Sequence, residues 1–147
     1  MKTLIIYTSV DHGNTEKIAK AIAEAMNADL MEINQADSTV LLNYDQIGFG
    51  SGIFYRKHHK KIFQFVDLLP TICHKRAFVF STSGIGSAQF NAPLESALKD
   101  KGFEIVGSFA CKGYDTWGPT KLVGGIAKGK PDIEDLKNAA SFGAKLI

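Results

Sequence analysis

Apolar residues along this chain gather in short runs, separated by segments with a three- and four-residue rhythm. Runs at 3–8, 30–34, 46–50, 77–81 and 103–110 predict strands, the central ones so continuously apolar that both faces must be covered. Ile18, Ala21, Ile22, Ala25 and Met26 form one helical stripe, and Ile62, Phe65, Val66 and Leu69 form a second. Leu94, Ala97 and Leu98 follow Pro93, which suits a first helical turn. Ile133, Leu136, Ala139, Ala140 and Gly143 follow the start signal Pro131-Asp132. The connection 35–45 has the weakest rhythm and predicts a turn or a short helix. Strands alternating with helices imply parallel pairing through right-handed crossovers, hence an open α/β sheet.

Composition narrows the class. The chain has 147 residues, 45% hydrophobic and 22% charged, which suits one core and is too short for two ordinary domains. No apolar run approaches the roughly 20 residues of a membrane helix. The first strand begins almost at Met1, leaving no room for a signal peptide, so a cytoplasmic protein with a single domain over 1–147 is expected. Cys73 and Cys111 have no metal-type spacing and read as reduced packing residues. A net charge of +2 argues against nucleic acid. The local exception is Arg56-Lys57-His58-His59-Lys60-Lys61, expected to open the helix carrying Ile62 and to present a solvated face or border a ligand.

In an open α/β sheet, ligands bind beyond the carboxyl ends of the strands. Loops 8–15, 50–55 and 81–91 leave those ends with ligand-binding composition. A fourth, 112–130, carries Tyr114 and Trp117, which either pin it to the domain or form a lid. The first loop, Thr-Ser-Val-Asp-His-Gly-Asn-Thr, lies between a strand and a helix, where free N–H groups and the helix dipole attract phosphate. The bland alternative is an ordinary turn and helix cap. A P-loop would need Gly-x-x-x-x-Gly-Lys-Ser/Thr, and the nearest lysine, Lys17, is already inside the helix. A dinucleotide fold would need three glycines where only Gly13 stands. The third strand ends in Gly48-Phe49-Gly50-Ser51-Gly52 rather than a phospho-acceptor Asp, and no nucleophilic Cys lies in the first loop.

At Tyr7-Thr8-Ser9 and Gly13-Asn14-Thr15-Glu16 the chain resembles the flavodoxin family, whose phosphate loop is a set of hydroxyls ending in Gly-Asn-Thr. Element order extends the resemblance over nearly the whole chain. It implies a doubly wound, five-stranded parallel sheet of order 2-1-3-4-5 that binds FMN. Ser9, Asp11, His12, Gly13, Asn14 and Thr15 would form the phosphate loop, with His12 a neutral donor rather than a general base. Gly50, Ser51, Gly52, Phe54 and Tyr55, with Ser81, Thr82, Ser83, Gly84 and Gly86, would flank the isoalloxazine ring. Phe54 or Tyr55 would stack on it. A carbonyl within Gly50-Ser51-Gly52 would meet the flavin N5–H on reduction, since glycine permits the peptide rotation. The first loop has one residue more than the family's usual Thr-x-Thr-Gly-x-Thr, and Asp11 must point away from a phosphate or cap the loop. Typical flavodoxins are also strongly acidic, whereas this chain is slightly basic. The resemblance implies a one-electron carrier to a protein partner. The alternative is an NAD(P)H-dependent FMN or quinone reductase, suggested by the basic run and the fourth loop. A cofactor-free interaction domain is a third reading.

Overall fold

The computed structural model describes residues 1–10, 12–114 and 125–147. In chain order they form β1 (Thr3–Tyr7), α1 (Asn14–Met26), β2 (Asp29–Glu32), β3 (Gln46–Phe54), β4 (Lys57–His58), α2 (Lys60–Asp67), β5 (Arg76–Ser83), α3 (Ala92–Asp100), β6 (Glu104–Lys112) and α4 (Ile133–Ala144). Five strands make a parallel sheet in the order β2-β1-β3-β5-β6, as the resemblance implied. The sixth, β4, was not foreseen and pairs antiparallel with the end of β3. The connection 35–45 becomes 3₁₀ turns, Ile33–Gln35 and Ser38–Asn43.

Alternation along the strands divides the core. Leu4, Ile6, Ile47, Phe49 and Val79 pack with Ile62, Val66, Leu94 and Leu98 of α2 and α3. Ile5, Tyr7, Phe78 and Phe80 pack with Ile18, Ile22 and Ala139 of α1 and α4. On β3 the positions facing α1 are glycines for a steric reason. A Cβ on Gly48 would lie 2.3 Å from the Phe78 ring, and one on Gly50 would lie 2.1 Å from the Phe80 ring. The large β5 side chains thus fill the volume that β3 leaves empty.

Three predicted strand ends lie too early. β3 continues past Gly50, β5 past Ser81 and β6 past Ala110. The ladder runs on through Ser51↔Ser81, Gly52↔Thr82 and Ser83↔Lys112. Apolar runs stop where helix cover stops, but backbone pairing needs no apolar side chain.

The basic run does not open α2 as one charged stretch. Tyr55 and Arg56, with φ of 52° and 68°, form a two-residue reverse turn, and Lys57 and His58 then pair with Phe54 and Ile53. Two positive-φ residues give the primed turn whose twist suits a hairpin, although Tyr and Arg are poor choices for that conformation. His58 is buried, and His59 caps α2 by accepting the Lys61 N–H at 3.0 Å. Burial first, then Lys61 and Lys60, lowers the His59 pKa and favours this accepting form. Of the cysteines, Cys111 is buried as expected, its thiol pushed up to about 12 chiefly by burial. Cys73 is exposed rather than packed.

Candidate cofactor site

The strand order reverses between β1 and β3, where an open α/β sheet has its ligand crevice. Over the carboxyl end of β1, Thr8 N–H is held by the Gly50 carbonyl at 3.1 Å, which fixes where the first loop departs. Gly13 then takes φ of 69° at the N-cap of α1 and contributes no side-chain cap. Among the described residues nothing lies within 4 Å of where a Cβ would stand, so the glycine serves conformation rather than close packing against them. The Ser9 hydroxyl accepts the Glu16 N–H at 3.3 Å, reaching across the helix start.

Two contacts bind this loop to other parts of the sheet edge. Thr15 Oγ1 lies 2.9 Å from Thr82 Oγ1 of β5, a buried link between the first and third loops. Asn14 Nδ2 donates to the Tyr114 carbonyl at 2.9 Å, and the His12 and Tyr114 rings stack with centroids 4.4 Å apart. Asp11, Trp117 and most of the fourth loop lie outside the described residues.

The second group of predicted residues sits mainly on β3. Gly50 is packed against Phe80 and its carbonyl is engaged by Thr8, so its small size serves the sheet. At Gly52 a Cβ would find its nearest atom at 3.6 Å, leaving more room for movement. Phe54 meets His59 edge-on at 5.2 Å, and Tyr55 is 81% exposed at the hairpin tip. Beside them a cavity of about 330 Å³ is lined by Phe54, Tyr55, Phe63 and the stretch Lys57, His58, His59 and Lys60. The Lys57 ammonium lies 5.7 Å from the Phe63 ring and the Arg56 guanidinium 5.8 Å from Phe90, so part of the basic run rests on aromatic faces.

The third group divides. Thr82 faces α1 through its bond to Thr15. Ser81 pairs with Ser51 across the ladder, and its buried hydroxyl has no partner among the described residues. Ser83 Oγ accepts the Gly86 N–H at 2.7 Å, and Gly86 needs its φ of 72° to turn the chain. Gly84 follows in the bend after β5. The tips of the three loops expose apolar side chains, Val10 at 44%, Tyr55 at 81% and Ile85 at 67%.

Sequence reasoning missed His58 and Asn91. The imidazole is 1% exposed, with Nδ1 at 2.8 Å from Ser51 Oγ and Nε2 at 2.7 Å from Asn91 Oδ1. His58 was hidden in a run of cations, and only its pairing with β3 turns it inward.

Comparison with known proteins bears on this arrangement. Residues 4–112 match the model of a flavodoxin domain. The chain belongs to the flavodoxin family. Membership implies a flavin cofactor, typically FMN. An uncharacterized protein of Methanocaldococcus jannaschii is 48% identical over 149 residues, covering 100% of this chain and 99% of its own. Among solved structures, a flavodoxin from the domain Archaea superimposes with a TM-score of 0.76 at 18% identity, over 99% of this chain and 96% of that one. Flavodoxin 2 from Bacillus cereus gives 0.70 at 24% identity, over 97% and 95%. These likenesses establish a flavodoxin-like fold. No helix among the described residues is long and apolar enough to cross a membrane.

Proposed function

We propose that this flavodoxin-type protein binds FMN non-covalently and carries electrons one at a time to a protein partner. The observation that carries the reading is the start of α1. There a left-handed Gly13 adds no side-chain cap and, among the described residues, has no atom within 4 Å of its missing Cβ, with Ser9, Asn14 and Thr15 beside it. Such a site offers neutral hydroxyl and amide donors and a helix dipole, which suit a phosphate monoester. The Thr15–Thr82 bond supports a shared site, because it joins this loop to β5.

At the other end, Phe54 and Tyr55 offer flat surfaces for a ring, and Gly52 has the room that a moving peptide needs. FMN would supply the redox chemistry, and the chain would hold, orient and tune it. The exposed Val10, Tyr55 and Ile85 give the loop tips an apolar rim suited to a transient partner. Purified protein should be yellow, with FMN released on denaturation, and photoreduction should proceed through a separate first one-electron step. Colourless protein that does not take up added FMN would sink the reading.

A second reading, an NAD(P)H-dependent reductase, is favoured by the cavity of about 330 Å³ with Lys57 and Lys60 in its lining. Anaerobic NADPH should then bleach the bound flavin within seconds. Flavin that stays oxidised for many minutes excludes it.

A further inference from the structure

The buried cluster beneath the hairpin poses a question of proton count. Asn91 is fully buried, and its Nδ2 lies 2.9 Å from Ser108 Oγ and 3.0 Å from the Phe109 carbonyl. A carbonyl only accepts, so this end of the amide is the NH₂ and the opposite end is oxygen. That oxygen faces His58 Nε2 at 2.7 Å, so Nε2 carries hydrogen. Burial holds the imidazole neutral, with its pKa lowered to about 4, and Nδ1 is therefore a lone pair requiring a donor.

The Ser51 hydroxyl lies 2.8 Å from that lone pair. The same oxygen accepts the His59 N–H at 3.0 Å and sits 2.7 Å from the Gly52 carbonyl. A serine has one hydroxyl hydrogen. Given to Gly52, it would leave His58 Nδ1 facing an oxygen lone pair in a buried site, which is the costlier arrangement. Given to His58, it leaves the Gly52 carbonyl without this donor.

We propose that His58 is a positioning residue that draws the Ser51 hydroxyl proton to itself and so keeps a lone pair of the Gly52 carbonyl open for an N–H on the bound flavin. The proposal rests on the FMN reading above. Asn91 sets the tautomer, Ser51 transmits it, and the Gly52 carbonyl is the group whose availability changes. His58 acts on that carbonyl only through Ser51. Its effect must therefore vanish when the Ser51 hydroxyl is removed.

The test begins on isotope-labelled apoprotein. The His58 ring should show a protonated Nε2 and an Nδ1 lone pair in ¹⁵N spectra. The Gly52 carbonyl ¹³C signal should be nearly unchanged in Ser51→Ala and should move downfield in His58→Leu, where the freed hydroxyl turns onto it. In His58→Asn, whose side-chain oxygen can accept the same proton, the wild-type signal should return. With FMN, His58→Leu and His58→Asn should bind the oxidised form within threefold of wild type. His58→Leu should hold the reduced form about tenfold more weakly, a fall of about 59 mV for one electron. The double variant Ser51→Ala/His58→Leu should match Ser51→Ala alone. An Nδ1–H tautomer, or an upfield Gly52 shift in Ser51→Ala, overturns the proton assignment whether or not flavin binds. Additive potential shifts in the double variant overturn the route through Ser51. Wild type that takes up no FMN overturns the cofactor reading and the redox consequence with it, while the apoprotein spectra still decide the proton assignment.

Discussion

The loop at the start of α1 and the hairpin of β3 and β4 stand at the same edge of the sheet but use polar groups in opposite ways. At α1, Gly13 adds no side-chain cap and meets no described neighbour on its Cβ side. In the hairpin, Ser51, His58 and Asn91 are all at most 1% exposed and are hydrogen-bonded to one another or to backbone. The first region ties its side chains outward to other loops, through Thr15–Thr82 and Asn14–Tyr114, around a left-handed glycine. The second satisfies its polar groups internally and so becomes a rigid wall. A site that must grip one end of a cofactor and tune the other has use for both.

Acidification should separate the two regions most strongly. The unfolded chain protonates His58 near the ordinary 6.5, whereas the folded chain resists until about 4. The unfolded state therefore binds the extra proton between those values, and stability is lost as pH falls through that window. The loss should reach about 3 kcal/mol. Urea midpoints at pH 7 and about pH 3.5 measure it, and His58→Gln should flatten the difference. An equal fall in that variant would locate the acid sensitivity elsewhere.

Glycine substitutions sharpen the contrast next. Gly50→Ala drives a methyl into the buried Phe80 ring and should cost about 2 kcal/mol in chemical unfolding. Gly13→Ala meets no atom of the described residues within 4 Å and suffers its left-handed backbone, so about 1 kcal/mol is expected. A larger loss at Gly13 than at Gly50 would reverse the picture of an open loop beside a packed wall.

The smallest stability effect should come from Ser9→Ala, within about 0.5 kcal/mol of wild type because its one described bond is long. FMN affinity should nevertheless fall about tenfold, as for loss of a hydrogen bond to a charged group. Fluorescence titration of the apoprotein checks this. Unchanged affinity would remove Ser9 from the phosphate site.

The parallel strands and all four helices were legible because each has its own apolar rhythm, as in Ile18, Ile22 and Met26 or Ile62 and Val66. The place of the first loop was legible too, since Gly13 marks the turn from β1 into α1 through local backbone geometry. The hairpin was not. Tyr55-Arg56 lacks the Asn or Gly that marks a primed turn, so Lys57-His58 read as cations rather than a strand. Strand ends at Phe54, Ser83 and Lys112 were missed because pairing there depends on neighbouring strands and not on hydropathy.

By itself, then, the sequence determined the succession of elements, the sheet order through its family resemblance, and the strand–glycine loop–helix turn after β1. These depend on contacts within a few residues or on a pattern spread over the whole chain. Only the tertiary structure decided that His58 lies inside, that Asn91 sets its tautomer from 33 residues away, and that Gly50 is small for the sake of Phe80. Burial and hydrogen-bond partnership across that distance depend on which strands lie side by side, and no local run of residues encodes them.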